Sequence, residues 1–286
     1  MKKKKINSNN LLLLITIVLF FVMYAVGCIV YADKGFTRFQ TFLNILINNA
    51  GLICITAGMT CVMLTGGIDI SVGSVVGLVG MLAGGMIQEG ITLKFAGVTL
   101  YFSVPVIVIA MLIVGCLIGA VNGLIVTKLG VAPFIATLGT MYICRGFANL
   151  RSNGATFSDI KGYDGLGNTG FKILGSNIAG IPTGVYIFAV LAVISVIILK
   201  KLPFGWYLLA VGGNEKSARL SGIKADKIKI IVYMISGFCA AWVGMINTAQ
   251  LSAAHPASGD GWEMNAIAAT VLGGTSMSGG SGTIIG

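Results

Sequence analysis

Apolar and polar positions along this chain fall into long alternating blocks, without the short periods of surface helices or strands. Nearly unbroken apolar runs predict membrane-crossing helices at 11–31, 42–64, 68–88, 104–127, 132–151, 183–199, 230–250 and 263–276, with a further one starting near Gly282. A run of about 20 apolar residues crosses the hydrocarbon core, and a helix satisfies its own backbone amides there. The pattern therefore predicts an all-α fold, a polytopic membrane helix bundle of about eight to nine spans, read as a single transmembrane domain over 1–286. The stretch from Arg151 to Pro182 interrupts the pattern with Gly, Asn, Ser and Asp. It is expected to be an external loop, long enough either to serve partner docking or gating or to be structured but passive.

Charge then orients the bundle. Only 10% of residues are charged, yet the net charge is +10. If Lys2 to Lys5 lie inside, the inside segments also receive Lys128 and the basic cluster Lys200, Lys201, Lys216, Arg219, Lys224, Lys227 and Lys229. The outside segments hold Lys34, Arg38, Lys94, Lys161 and Lys172. This bias selects a cytoplasmic N-terminus. It also accounts for the net charge without nucleic acid, whose binders gather basic residues on one solvated face. A basic start before an apolar run is also how a secretory signal looks, and Ala25-Val26-Gly27-Cys28 resembles a cleavage site. The run continues through Tyr31, which favours a retained first span.

Glycine is frequent, at 41 residues, and is placed in stripes. Gly115, Gly119 and Gly123 share one face of the fourth span, Gly73 with Gly77 and Gly80 with Gly84 lie along the third, and Gly237 with Ala241 and Ala240 with Gly244 along the seventh. In lipid, small residues let helix backbones approach closely, so these stripes predict a compact bundle. The six cysteines all fall within predicted spans without CxxC spacing and read as small packing residues. The single histidine, His255, sits in a turn before Pro256, so no metal site and no cofactor are expected.

Three polar, glycine-rich segments carry the candidate chemistry. In the first, Thr65 to Ser74, a carboxylate at membrane depth is costly; Asp69 is expected at a helix start, capping free amides, or with Ser71 as part of a polar pathway lined by an unwound turn. The second, Gly212 to Gly222, predicts a short cytoplasmic helix with Asn214 as N-cap, Glu215 in its first turn, Arg219 in its last and Gly222 closing it in the left-handed region. The third runs from Asp260 to Gly286, with Glu263 and Asn265 as further pathway or gating candidates. Its Gly273-Gly274, Ser278 and Gly280 echo Gly66-Gly67, Ser71 and Gly73, consistent with either a duplication remnant or glycine-rich composition.

With these three motifs in order, the chain resembles the permease subunit of bacterial ABC importers for monosaccharides, the ribose, xylose, arabinose and galactoside permease family, over nearly its whole length. The resemblance implies a multi-pass protein of the bacterial cytoplasmic (inner) membrane. It further implies two permease copies, identical or paired, a separate ATP-binding cassette subunit and an extracytoplasmic sugar-binding protein. It assigns coupling to the ATP-binding subunit to Asn214, Glu215, Ala218, Arg219 and Gly222. Two departures stand out: the family usually has Glu-Leu-Asp-Ala-Ile-Ala-Ala where this chain has Met264 and Asn265, and relatives continue beyond the glycine-rich motif, so a C-terminal truncation is expected.

Relatives with similar motifs import nucleosides or the furanosyl autoinducer, so the motifs alone do not choose the substrate. A secondary transporter, the alternative of another class, needs ionisable residues within spans, and only Asp69, Arg145 and Glu263 qualify, with Arg145 and Arg151 also able to snorkel outward. An enzyme would need convergent acid, base or metal-binding groups, which the spans hardly offer. The chain contains no Gly-x-x-x-x-Gly-Lys-Ser/Thr phosphate loop, so it is not expected to hydrolyse ATP by itself.

Overall fold

A computed structural model of the protein describes residues 8–93, 97–178 and 180–284. Lys2 to Lys5, on which the orientation partly rests, and the end of the chain, where a further span was expected, lie outside the described residues. Among the described residues ten α-helices dominate: α1 (Ser8–Val30), α2 (Phe39–Leu64), α3 (Val72–Gln88), α4 (Val104–Lys128), α5 (Pro133–Leu150), α6 (Thr183–Lys201), α7 (Pro203–Gly213), α8 (Glu215–Leu220), α9 (Ala225–Leu251) and α10 (Trp262–Leu272). Three two-stranded antiparallel pairs modify the all-α expectation: β1 (Ile91–Leu93) with β2 (Val98–Leu100), β3 (Phe157–Ser158) with β6 (Ala253–Ala254), and β4 (Asn177–Ile178) with β5 (Ile181–Pro182). All are short ties in connections.

Prolines set several helix starts. Pro105, Pro133 and Pro203 occupy the first turns of α4, α5 and α7, where a missing N–H costs nothing. By composition and length α2, α4, α6 and α9 can each cross a membrane. Their outward residues agree: Ile109, Ile113, Leu117 and Val121 make an exposed apolar stripe on α4, and Val190, Val193, Ile194 and Ile197 do so on α6. Contiguous apolar surface of this kind suits lipid and not water.

Two expectations fail. The segment 263–276 is not a span, since α10 has 11 residues and reaches only about 17 Å, against about 30 Å of hydrocarbon. The chain turns at Gly273 and Gly274 instead, and the Thr275 N–H closes the helix on Thr270 O at 3.1 Å. The segment 200–229 is not a loop with one short helix, because it also contains the apolar helix α7, which buries Leu208 and Val211. Surrounding lysines mask that helix in a pattern read for full-length spans.

The core centres on α3, whose residues from Val72 to Ile87 are all buried except Leu82. The small-residue stripes account for this. Gly80 faces Thr248, Gly84 faces Ala254 and Ile160, and Gly244 of α9 packs on the Val76 backbone. The α4 stripe meets α9: Gly115 opposes Gly237, Gly119 opposes Tyr233 and Gly123 opposes Ile230. A second apolar cluster joins the end of α2 to α7, α8 and the start of α9 through Val62, Leu64, Leu208, Ala218, Ile228 and Val232.

The segment from 151 to 178 is structured. Phe157, Ile160 and Phe171 are buried against the bundle, and the buried Asn168 donates to Ile87 O at the end of α3 (2.9 Å) and accepts from the Tyr163 N–H (2.8 Å).

The α4–α9 contact makes a direct prediction. A β-carbon at Gly119 would stand 2.1 Å from Tyr233 O, whereas one at Gly139 meets nothing within 4 Å. Gly119→Ala should cost about 1–3 kcal/mol through overpacking, while Gly139→Ala should be neutral or stabilising. Thermal melts of the detergent-solubilised protein read the difference; equal melting of both variants would refute close packing here.

Candidate functional site

The three glycine-rich motifs, far apart in sequence, meet at one end of the bundle. The Gly280 N–H donates to Leu64 O at 2.9 Å. A β-carbon at Gly212 would lie 1.8 Å from Leu64 O and 2.5 Å from Gly280 N, and one at Gly279 would lie 2.7 Å from Gly66 N. Three backbone segments therefore touch with no side chain between them. Residues 64–66 lead into α3, 212–213 lead into α8, and 278–280 follow α10.

The echo between the first and third motifs takes a defined form. The Gly67 N–H closes α2 on Val62 O, as the Thr275 N–H closes α10 on Thr270 O, with Gly66 (φ 75°) and Gly274 (φ 89°) at equivalent places. The structural pairing matches Gly66 to Gly274, one residue away from the pairing that sequence alignment suggests.

The second motif folds as expected. The Asn214 side chain caps α8, accepting the Ser217 N–H at 3.0 Å. The Ile223 N–H returns to Ala218 O at 3.0 Å while Gly222 takes φ 84°, a conformation that a side chain at this position would strain. Glu215 accepts from Arg219 and from Lys229, and Arg219 also pairs with Asp226 at the start of α9. Partial burial pushes the Glu215 carboxyl upward, but the hydrogen bonds and charges of Lys229 and Arg219 outweigh it and hold the group below its ordinary value. Ala218 is buried and points into the second apolar cluster beneath α8. The outward face carries Lys216, Ser217, Arg219 and Leu220, the last 90% exposed. Leu220, exposed between Arg219 and Ser221, was not singled out from the sequence.

Asp69 sits at the entry to α3 and accepts one free backbone amide, that of Ser71, which itself occupies the N-cap position and makes no side-chain cap bond. Asp69 is buried, 1% exposed, and its carboxylate accepts three hydrogen bonds: Ser71 N–H at 3.0 Å, Ser71 Oγ at 2.6 Å and, from α9, Ser236 Oγ at 2.7 Å. The chain of donors extends outward. Asn122 Nδ2 of α4 donates to Ser71 Oγ at 2.9 Å, and Thr140 Oγ1 of α5 donates to Asn122 Oδ1 at 2.6 Å. A carboxylate is acceptor-only, so a one-way relay of donors from three helices satisfies it in a buried setting. Asn122, Thr140 and Ser236 escaped the sequence reading, although Asn122 interrupts an apolar run between Gly119 and Gly123 and Ser236 adjoins Gly237.

The remaining candidates separate. Glu263 is buried in the first turn of α10 against Gly73, where a β-carbon would lie 2.3 Å from its Oε2, and that oxygen has no hydrogen-bond partner among the described residues. Asn265 faces away and is exposed beside Met264. The arginines do not snorkel freely. Arg145 donates to Pro256 O at 2.7 Å and Ser258 O at 2.9 Å, pinning the turn before α10, and Arg151 pairs with Glu89 at 2.7 Å.

Residues 41–286 match a family described as branched-chain amino acid transport system / permease component. The chain belongs to this permease family. A ribose import permease protein of Haemophilus influenzae is 36% identical over 275 residues, covering 95% of this chain and 79% of the relative. A ribose import permease protein of Bacillus subtilis is 42% identical over 257 residues, covering 89% and 74%. A galactose/methyl galactoside import permease protein of Haemophilus influenzae is 35% identical over 275 residues, covering 94% and 81%. No solved structure matches the chain. The permease is a multi-pass protein of the bacterial cytoplasmic membrane, and its polar relay and glycine junction are parts of a transport subunit.

For the permease, Asp69→Ala should leave three donors unanswered and lower stability by about 2–3 kcal/mol or more. Asp69→Asn retains one oxygen for Ser71 and should cost less. Melting temperature and transport measured together decide the role. If Asp69→Asn melts like the wild type yet transports nothing, the negative charge itself is required and the anchoring role is wrong.

Proposed function

We propose that this chain is the membrane-spanning subunit of an ABC importer that passes a monosaccharide of the ribose or galactose type into the cell. A separate ATP-binding subunit drives it and an extracytoplasmic sugar-binding protein supplies it. The observation that carries this reading is the set of sugar-import relatives, each 35–42% identical over most of this chain. A pair of permease copies, identical or related, completes the pathway in this reading, and the basic-residue bias supports a cytoplasmic α8 end.

The proposed coupling surface is the outer face of α8. Its support is geometric: capping at both ends, ion pairs of Glu215 and Arg219 to the start of α9, and an unpartnered Leu220 that presents apolar area to a docking subunit. Ala218 anchors the helix from beneath. Movement of α8 reaches the bundle by two routes, the glycine junction at Leu64, Gly212 and Gly280, and α9 through Ser236 to Asp69. An importer subunit needs both a contact with its motor and a rigid path inward, and this end of the protein supplies both.

Leu220→Asp should leave the permease folded, since the side chain is exposed, but weaken retention of the ATP-binding subunit about thirtyfold, the weight of an interface hot spot. Sugar uptake and substrate-stimulated ATP hydrolysis should fall with it. Ala218→Trp should act differently, lowering the melting temperature by overpacking the cluster beneath α8. Wild-type co-purification and stimulated hydrolysis in Leu220→Asp would place the motor contact elsewhere.

A further inference from the structure

At the end of the bundle remote from α8, a cavity of about 450 Å³ opens between α2, α6, α9 and α10 under a rim that includes Gly175, Asn177 and Pro182. Four side-chain amides line it: Asn48 of α2, Asn177 of β4, and Asn247 and Gln250 of α9. Aromatic wall comes from Phe188 and from Trp262, whose indole rests on Gly51. The rim is fixed in place because Gly175 packs against the backbone of Ala249 and Gln250, leaving no room for a side chain. Asn48, Asn177 and Gln250 are exposed and Asn247 is half-buried; none of the four amides has a hydrogen-bond partner among the described residues, and no lining residue is ionisable. Unsatisfied amides grouped in a bundle that spans a membrane face water or a polar solute and not lipid.

The geometry points to this cavity as an entry site for a neutral, polyhydroxylated ligand, a monosaccharide released at the outer face. Each amide both donates and accepts, as each sugar hydroxyl does, and aromatic rings suit the apolar C–H face of a sugar ring. A zwitterionic amino acid, the substrate class in the family's description, would find no charged side chain among the lining residues to pair with its carboxylate or its ammonium. The volume falls within the range of small-molecule pockets, about 300–1,000 Å³. The inference rests on the sugar-importer reading and adds to it the residues that contact the cargo.

The test uses the assembled importer with its ATP-binding and binding-protein subunits, and the probes D-ribose, D-galactose and L-leucine. Gln250→Cys should react with a membrane-impermeant maleimide added outside, whereas Ser217→Cys should not, and D-ribose or D-galactose should slow the reaction while L-leucine does not. Asn247→Leu and Gln250→Leu should each lower sugar uptake about fivefold, the weight of one hydrogen bond, with basal ATP hydrolysis and subunit retention unchanged. Asn247→Gln and Gln250→Asn should stay within about twofold of wild type. Wild-type uptake in the leucine variants, with no protection by either sugar, overturns the site while leaving the importer reading intact. Sugar protection in an importer that accumulates only L-leucine supports the cavity and overturns the proposed cargo. Equal protection by L-leucine overturns the selectivity claimed for the site.

Discussion

At Gly212 the backbone entering α8 passes so close to the end of α2 that a β-carbon would stand 1.8 Å from Leu64 O, and Gly280 closes the junction from the third side. Contacts of this kind hold the whole bundle. In lipid there is little hydrophobic force between helices, and helix association depends on how near backbones can come. The α4 stripe against α9, Gly244 of α9 against α3, and Gly73 beneath Glu263 repeat the same solution. Each contact gives packing density and removes tolerance, since even one methyl group must displace backbone.

The same constraint shapes the polar chemistry. Close helices bring Ser236 of α9, Asn122 of α4 and Thr140 of α5 within hydrogen-bond reach of one another and of Asp69. In loosely packed helices these groups would meet lipid. The result is a buried carboxylate tied to three helices, close to the segment that joins α2 to α8 through the glycine junction. The two ends of the bundle differ in chemistry. Glycine contacts and ion pairs stiffen the α8 end, and the opposite end opens into an uncharged, amide-lined cavity.

Much of this was legible in sequence for physical reasons. Long apolar runs located α2, α4, α6 and α9, because a crossing helix needs length and composition that nothing else mimics. Asn214 and Gly222 marked both ends of α8, since capping is local and residue-specific. The small-residue stripes marked close-packing faces on α3, α4 and α9, but not which faces would meet. Hydropathy failed where helices are short: α7 hid between lysines, and α10 ended at Leu272 well before a full crossing. Tertiary partners were equally invisible. Nothing in the run around Asp69 shows that Ser236, 167 residues away, completes its hydrogen bonds. Nor does sequence tell which side of a two-turn helix faces inward, as with the buried Ala218.

The central claim is that the glycine junction transmits the motor's stroke from α8 into the bundle. The direct measurement is the amount of D-ribose or D-galactose accumulated per ATP hydrolysed in liposomes carrying the assembled importer, compared between wild type and Gly212→Ala. The melting curve verifies that the variant is folded. The account expects ATP hydrolysis to continue while sugar moved per ATP falls severalfold, because the added methyl group forces α7 and α8 away from Leu64. A folded variant that accumulates sugar at the wild-type ratio would contradict it.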